Sequence, residues 1–331
     1  MHSNSQSEKH FDTPILFQFY NREDTTLRVF NEIRKIKPQH LFLVQDGARN
    51  HQEAIECRNT RENILACIDW KCNLYTNFRD TNLGPGKGTA EGIKWFFNQV
   101  EMGIVLEHDC LPNYDFFIYC EELLKKYENV KEIKLINGSN FQEKKTFGNG
   151  SYYFGRVGQI WGWAAWKRTF TNYYEDIKDI DYAALTKAIN RIFRTRRERE
   201  YWKNTYHLLK NRSIDTWDYQ LLYSVWQANG IIIFPNKNLI SNIGFHPSSV
   251  HCKDPFSKLS RPAIFEILPL IHPKRISVSQ YSTTYYYDHY LGINPIRAAI
   301  INIKTLFIKH SPSYLYSIYK KIKYPIKHNQ H

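Results

Sequence analysis

The sequence predicts an α/β fold, a mostly parallel sheet covered by helices on both faces, with an α-rich extension and a basic tail following it. Three observations predict this. Short apolar runs alternate with segments of helical periodicity up to about residue 138. Beyond that point the alternation stops and aromatic residues crowd into "YYFGRVGQIWGWAAW". The last part of the chain then sets Lys and Arg among Ile, Leu and Tyr.

The elements follow in order. After a polar arm (residues 1–12), "PILFQFY" (14–20) reads as a buried strand. "REDTTLRVFNEIRKIK" reads as a helix, because Leu27, Phe30, Ile33 and Ile36 recur at helical spacing. "HLFLVQD" is a second strand, residues 50–68 a helix, and "NLYTNF" a third strand. "GTAEGIKWFFNQV" continues as a helix, "GIVLEHD" as a fourth strand, "YDFFIYCEELLKKY" as a helix and "IKLING" (133–138) as a strand. Helices are expected through about residue 229, then a late strand, "GIIIFP". Strands alternating with helices imply a parallel sheet whose ligands bind beyond the carboxyl ends of its strands. The expected organisation is a domain over 13–254 in two halves (13–138 and 139–254), the second an extension that completes the same site. A basic amphipathic region (255–331) follows.

Composition narrows the function. With 331 residues, 42% of them hydrophobic and 15% aromatic, the chain is neither disordered nor fibrous. The first dozen residues lack a secretory core, and no run of about 18 apolar residues occurs, so a cytoplasmic site of action is expected. Six cysteines form no CxxC pair and no zinc-like spacing, which makes them free thiols in a reducing compartment. The formal charge is +13, and from Lys274 onward nine Lys or Arg face one acid, Asp288. Such asymmetry points to an anionic partner: nucleic acid, a membrane surface or a phosphorylated substrate. The tail's amphipathic pattern suits peripheral contact with anionic lipid.

The fourth strand ends in Glu107, His108 and Asp109. Carboxylates at the mouth of a parallel sheet suit a hard divalent cation, Mg²⁺ or Mn²⁺, which needs anionic oxygens and leaves coordination places for phosphates. Asp109 as a turn cap before Pro112 is the plainer alternative. "NLGPGKG" (82–88) is not a Walker A loop, since Gly88 stands where Ser or Thr belongs.

"VLEHDCLPNYDFF" resembles the metal motif of GT-A glycosyltransferases, particularly inverting N-acetylglucosaminyltransferase I-type enzymes and bacterial surface-polysaccharide transferases. "PILFQFYNREDTTLRVFNEI", "VQDG", "GQIWGWAAWKR", "TWDYQL" and "SNIGFHPSSVH" are similar to further segments of that family in the same order. The resemblance covers roughly residues 13–252 and implies a GT-A fold, a Rossmann-like sheet binding a nucleotide-diphosphate sugar, expected to be UDP-linked. It implies that Asp109 holds Mn²⁺ or Mg²⁺, with His251 of the late loop as a further metal or diphosphate contact and His246 as its competitor. Glu107, His108, Asp46 and Arg22 fall at donor-contacting positions, and His108 replaces the usual middle Asp. Asn82 and Lys87 lie in a loop similar to one that opens a donor-side helix in this family. Asp46 in an ordinary Asp-Gly turn, and Arg22 in a surface salt bridge, are the alternatives.

Transfer with inversion needs one base to take the acceptor's proton. Asp218 matches the family's Trp-acid segment and is the expected base, with Asp215 next. Both acids also suit the amino end of a helix. Trp161, Trp163 and Trp217 are candidate sugar contacts, because sugar C–H faces stack on aromatic rings, although such residues are as readily core. The implied activity is sugar transfer to a polysaccharide or lipid-linked oligosaccharide. Two rivals remain. A sugar-1-phosphate nucleotidyltransferase would carry a glycine-rich loop after its first strand, which "FYNRED" lacks. A nucleic-acid-binding protein would owe its affinity to the excess positive charge.

Overall fold

The computed structural model describes residues 11–142, 145–158, 160–171, 173, 176–211, 216–245 and 265–291. Its strands are β1 (Ile15–Phe19), β2 (His40–Gln45), β3 (Asn73–Phe78), β4 (Met102–Glu107), β5 (Cys110–Pro112), β6 (Ile133–Asn137), β7 (Tyr152–Gly155), β8 (Trp163–Trp166), β9 (Ile231–Pro235) and β10 (Ile240–Asn242). Eight of them form the central sheet, in the order β3-β2-β1-β4-β8-β6-β9-β7. The first four pair in parallel, and β6 pairs in parallel with β9. Only β8 and β7 run against them. A separate antiparallel pair joins β5 to β10. This is the mostly parallel α/β sheet that the alternation predicted.

Strand periodicity explains why the sheet needs covering on both sides. In β1 and its neighbours Phe17, Leu43, Ile104 and Leu106 enter one core, while Leu16, Phe42, Val44 and Val105 enter the other. The first core also contains residues of α1 (Glu23–Ile36) and α4 (Tyr114–Lys126), among them Phe30, Ile33, Phe116 and Leu123. The second is covered by α3 (Gly84–Phe97) and α7 (Asp218–Gln227) through Ile93, Phe96, Phe97 and Leu221. Full burial of each such side chain is worth about 1.5–3 kcal/mol. Helix α2 (His51–Ala66) lies against α1. A third cluster binds α5 (Tyr182–Ile192) and α6 (Arg196–Lys210) to α7 through Leu185, Ile189, Trp202, Tyr206 and Trp226.

The aromatic stretch supplies a central strand. Strand β8 sits between β4 and β6, with Trp163 opposite both Val105 and Asn137. Ala164 and Ala165 are fully buried there, and Gly162 enters the strand at φ +60°, a left-handed conformation that favours glycine. A Cβ at Gly162 would come within 2.6 Å of Ile240 Cδ1, so its small size serves the packing of β10.

Part of the region expected to be a separate tail is built into the same body. The backbone amides of Ile267 and Leu268 donate to Asp115 Oδ2 at 2.7 and 3.2 Å, and Val278 bridges to Phe154 of β7. Helix α8 (Gln280–Tyr285) follows, and Tyr286 and Tyr287 are buried. Residues 292–331, with most of the basic tail, lie outside the described residues. No helix among the described residues is long and apolar enough to cross a membrane.

The basic run "RIFRTRRERE" has structural partners. Glu198 and Thr195 form a capping box at the start of α6, Arg197 pairs with Asp288, and Arg191 donates to the Trp226 carbonyl at 2.8 Å.

Candidate active site

The carboxyl ends of β3, β2, β1 and β4 open into a cleft of about 310 Å³. Parallel pairing makes it one rim: Gln18 of β1 stands beside Glu107 of β4, and Phe19 beside Gln45 of β2. The residues just past these ends, Arg22, Asp46, Arg79 and Asp109, therefore converge on one space. Of the residues predicted from sequence, Arg22, Asp46, Asn82, Glu107, His108 and Asp109 all line it.

Acids and arginines share the lining of the cleft. Burial pushes the Glu107 carboxyl up to about 8, and the negative charges of Asp109 and Asp218 add to the shift. Burial also lowers the His108 imidazole, against the raising influence of Asp109, so it favours the neutral ring. Three arginines, Arg22, Arg49 and Arg79, also line the cleft. Arg22 donates to the Gly244 carbonyl at 3.2 Å, tying α1's entry to the segment after β10.

Asp109 is held by its neighbours. The β5–β10 pair carries the chain back past it, with the Ile243 amide donating to the Asp109 carbonyl at 2.8 Å. Cys110 Sγ lies 3.4 Å from Asp109 Oδ1. Among the described residues no cluster of three His, Cys, Asp or Glu is arranged to enclose a metal. A site made by Asp109 alone still fits a Mg²⁺-like cation, which is held by one or two carboxylates with phosphates and water completing the shell. The observation favouring that fit is that Asp109 and Asp218 both push the Glu107 carboxyl up, negative charge that a cation there would offset.

Asp46 has a partnered carboxylate. Its oxygens accept from the Leu83 amide at 3.1 and 3.0 Å and the Gly84 amide at 3.0 Å, capping α3, and Arg79 Nη1 lies 3.5 Å away. Because Asp46 caps it, α3 begins at Gly84, a turn earlier than the periodicity indicated. Gly47 is needed beside it, as a Cβ there would fall within 2.6 Å of three Thr81 backbone atoms. Asn82 donates to the Gly47 carbonyl at 2.7 Å, so its amide braces this turn. Lys87 is exposed and lies 3.6 Å from Glu91, away from the cleft lining.

Gln18, Tyr20, Arg49 and Arg79, which no sequence motif singled out, also line the cleft. Gln18 Nε2 and Arg79 Nη2 are buried nitrogens with no hydrogen-bond partner. Tyr20 donates to Glu53 Oε2 at 2.5 Å, and Arg49 clasps the same carboxylate. The available signal was positional: Arg79 follows the end of β3 as Asp46 follows the end of β2.

The acceptor-side candidates divide. Trp163 is 1% exposed and packs with Phe97, Phe170 and Trp217. Trp217 is 5% exposed in the same core. The structure thus gives both a packing role and leaves their broad faces no room to stack on a sugar. Trp161 is half-buried, edge-on to Phe141 and Phe245. Asp218 stands at the first turn of α7, accepts from Thr216 Oγ1, and borders a second, smaller cavity. Asp215, His246 and His251 lie outside the described residues. Five cysteines, Cys57, Cys67, Cys72, Cys110 and Cys120, are free thiols, and Cys252 lies outside.

No protein-family model matches the chain, and no curated protein does. Among solved structures it is similar to HddC from Yersinia pseudotuberculosis, at 8% identity and a TM-score of 0.31 over 49% of this chain and 81% of that one. The same figures hold for HddC complexed with GMP-PN. A 4-diphosphocytidyl-2C-methyl-D-erythritol synthase from Anaerococcus prevotii aligns at 11% identity and TM-score 0.31, over 58% and 82% of the two chains. The functional reading therefore rests on this chain's own site.

Proposed function

We propose that the protein is a metal-dependent, inverting glycosyltransferase using a nucleotide-diphosphate sugar, expected to be UDP-linked, to extend a polysaccharide or lipid-linked oligosaccharide. The observation that carries this reading is the placement of three acids: Glu107 and Asp109 line the large cleft, and Asp218, in the wall of the smaller cavity, is near enough to push the Glu107 carboxyl up. A cation held by Asp109 would neutralise the charge developing on a leaving diphosphate. Arg22, Arg49 and Arg79 offer donors to phosphate or nucleotide oxygens. Glu107 accepts from donor hydroxyls when ionised, and neutral His108 hydrogen-bonds a ribose hydroxyl. Asp218 takes the acceptor's proton, needing only one carboxylate within hydrogen-bond reach.

The deciding experiment is turnover of a nucleotide-sugar panel with and without Mn²⁺ or Mg²⁺, using wild type, Asp109→Asn and Asp218→Asn. Normal transfer by both variants would overturn the metal role of Asp109 and the base role of Asp218. Nucleotidyl transfer to a sugar 1-phosphate is the second reading, and the three arginines around the cleft favour it, since they suit a triphosphate equally well. Against it, the turn Tyr20–Arg22 between β1 and α1 contains no glycine. Pyrophosphate released from a nucleoside triphosphate and a sugar 1-phosphate would select it.

A further inference from the structure

The apolar side chains most open to solvent are gathered at one place. Among the described residues the four most exposed large ones are Ile271, Tyr281, Tyr114 and Phe265, at 62%, 61%, 55% and 50%. Each belongs to a segment joined to the turn that follows β9. Phe265 N donates to the Asn238 carbonyl at 3.1 Å, while Asn113, beside Tyr114, donates from its backbone to the Leu239 carbonyl at 3.1 Å and from its side chain to the Phe265 carbonyl at 3.0 Å. Asn236 N donates to the Ser151 carbonyl at 2.8 Å, and Ser151 N to the Ile271 carbonyl at 2.7 Å. Asn236 Oδ1 accepts from Phe147 N at 2.9 Å, and the Phe147 and Tyr281 rings pack with centroids 5.8 Å apart. Exposed apolar residues scattered singly need no explanation, whereas a gathered set marks an interaction surface.

Charge and position identify the partner. Lys237 in that turn, and Lys274 and Arg275 shortly after Ile271, are exposed, as is one acid among them, Glu266. Two further acids nearby are engaged, Asp115 by the Ile267 and Leu268 amides and Glu122 by His272. The sequence after Leu291 adds seven Lys or Arg and no Asp or Glu. Apolar side chains beside cations suit a partner that is anionic outside and apolar within, which describes the boundary of an anionic lipid bilayer. Nucleic acid would satisfy the cations and leave Ile271 unmatched. The topology sets this surface at the same end of the sheet as the cleft. Strands β4 and β6 both run against β8, and β9 runs with β6, so β9 ends on the side where β1 to β4 end.

We propose that this end of the molecule docks on an anionic lipid surface, with Tyr114, Phe265 and Ile271 entering the headgroup region and Lys237, Lys274 and Arg275 meeting lipid phosphates. The cleft then lies at the membrane face, where a lipid-borne acceptor would be presented. That acceptor rests on the glycosyl-transfer reading; the docking itself does not.

The test sediments the full chain with vesicles of phosphatidylcholine alone or mixed equally with phosphatidylglycerol. Binding is expected to the mixed vesicles only and to fall as salt rises. Replacing both cations, Lys274→Gln with Arg275→Gln, should weaken it about 30-fold, at roughly fivefold for each cation lost near an anionic surface. Ile271→Ser should weaken it about tenfold, the worth of one apolar side chain withdrawn from water. Because these side chains are exposed, circular dichroism should be unchanged. Vesicle binding that survives both variants would belong to other parts of the chain and would overturn the inference. Equal binding to uncharged vesicles would overturn it too, as would tighter binding to DNA or RNA weakened by the same substitutions. A protein that turns over a nucleotide sugar and ignores the vesicles would lose the docking surface and keep the glycosyl-transfer reading. One that binds the mixed vesicles through these residues and turns over no nucleotide sugar would keep the surface and lose that reading.

Discussion

Gly244 and the Asp109 side chain are in direct contact: a Cβ at position 244 would overlap Asp109 Oδ2 and lie 2.8 Å from the Asp109 Cβ. The carboxylate therefore has its place in the cleft because residue 244 has no side chain. Gly244→Ala is expected to displace Asp109 and reduce metal-dependent donor turnover by at least about tenfold, since small misplacements at a reacting centre cost up to about 100-fold. Circular dichroism should show the fold intact. Unchanged turnover at saturating and limiting Mn²⁺ would refute the coupling.

The two acids assigned separate roles should fail in separate ways. Asp109→Asn is expected to lose Mn²⁺-dependent UDP binding, measured calorimetrically. Asp218→Asn should keep that binding and lose transfer by about 10²–10⁴-fold, the usual contribution of a general base. If UDP binding fell equally in both, Asp218 would belong to the donor site.

Asp46→Ala would leave the Leu83 and Gly84 amides without their cap and Arg79 without its ion pair. Loss of a cap costs about 0.5–2 kcal/mol. A lowered thermal midpoint, with faster amide exchange at the start of α3 than in α4, is the expected result. A variant as stable as wild type would return Asp46 to a purely ligand-facing role.

Acid should weaken one edge of the cleft. Hydrogen bonds from Arg49 hold the Glu53 carboxyl down at about 2 from its ordinary 4.5, with Tyr20 contributing. A depressed carboxylate stabilises the fold above its unfolded pKa, and that contribution is lost as pH falls from about 4.5 toward 2. Because Arg49 is largely exposed, the effect is about 1–2 kcal/mol after allowance for solvent screening. Glu53→Gln should be less stable than wild type at pH 7, with the difference closing toward pH 2 in denaturant titrations. A constant difference across that range would exclude the linkage.

Most of the sheet was legible because β1, β2 and β4 are short apolar strands and α1 between the first two has clear periodicity. The place of Asp109 at the mouth of the sheet was legible as well, because it follows directly on the end of β4. Strand β8 was not, because "WAAW" between two antiparallel neighbours is buried on both faces and shows no alternation. Of its two tryptophans, Trp163 suits both a sugar contact and the core on sequence alone, and both residues are buried. The capping role of Asp46 was also hidden. Its partners, the Leu83 and Gly84 amides, come from the next strand's loop, so a tertiary cap looked like a free acid. Arg79 and Gln18 were missed because a single polar residue beside a strand carries no pattern.

The docking of residues 265–291 against the domain bears on how the protein would behave during turnover. Tyr286 and Leu291 form part of the small cavity's wall, and Thr284 Oγ1 donates to the buried Glu198 of α6 at 3.3 Å. A lipid surface that holds Phe265 and Ile271 and the seating of this chain segment would thus be thermodynamically reciprocal, each tightening the other. Proteolytic sensitivity near residue 285 would then serve as a remote gauge of whether the membrane is engaged.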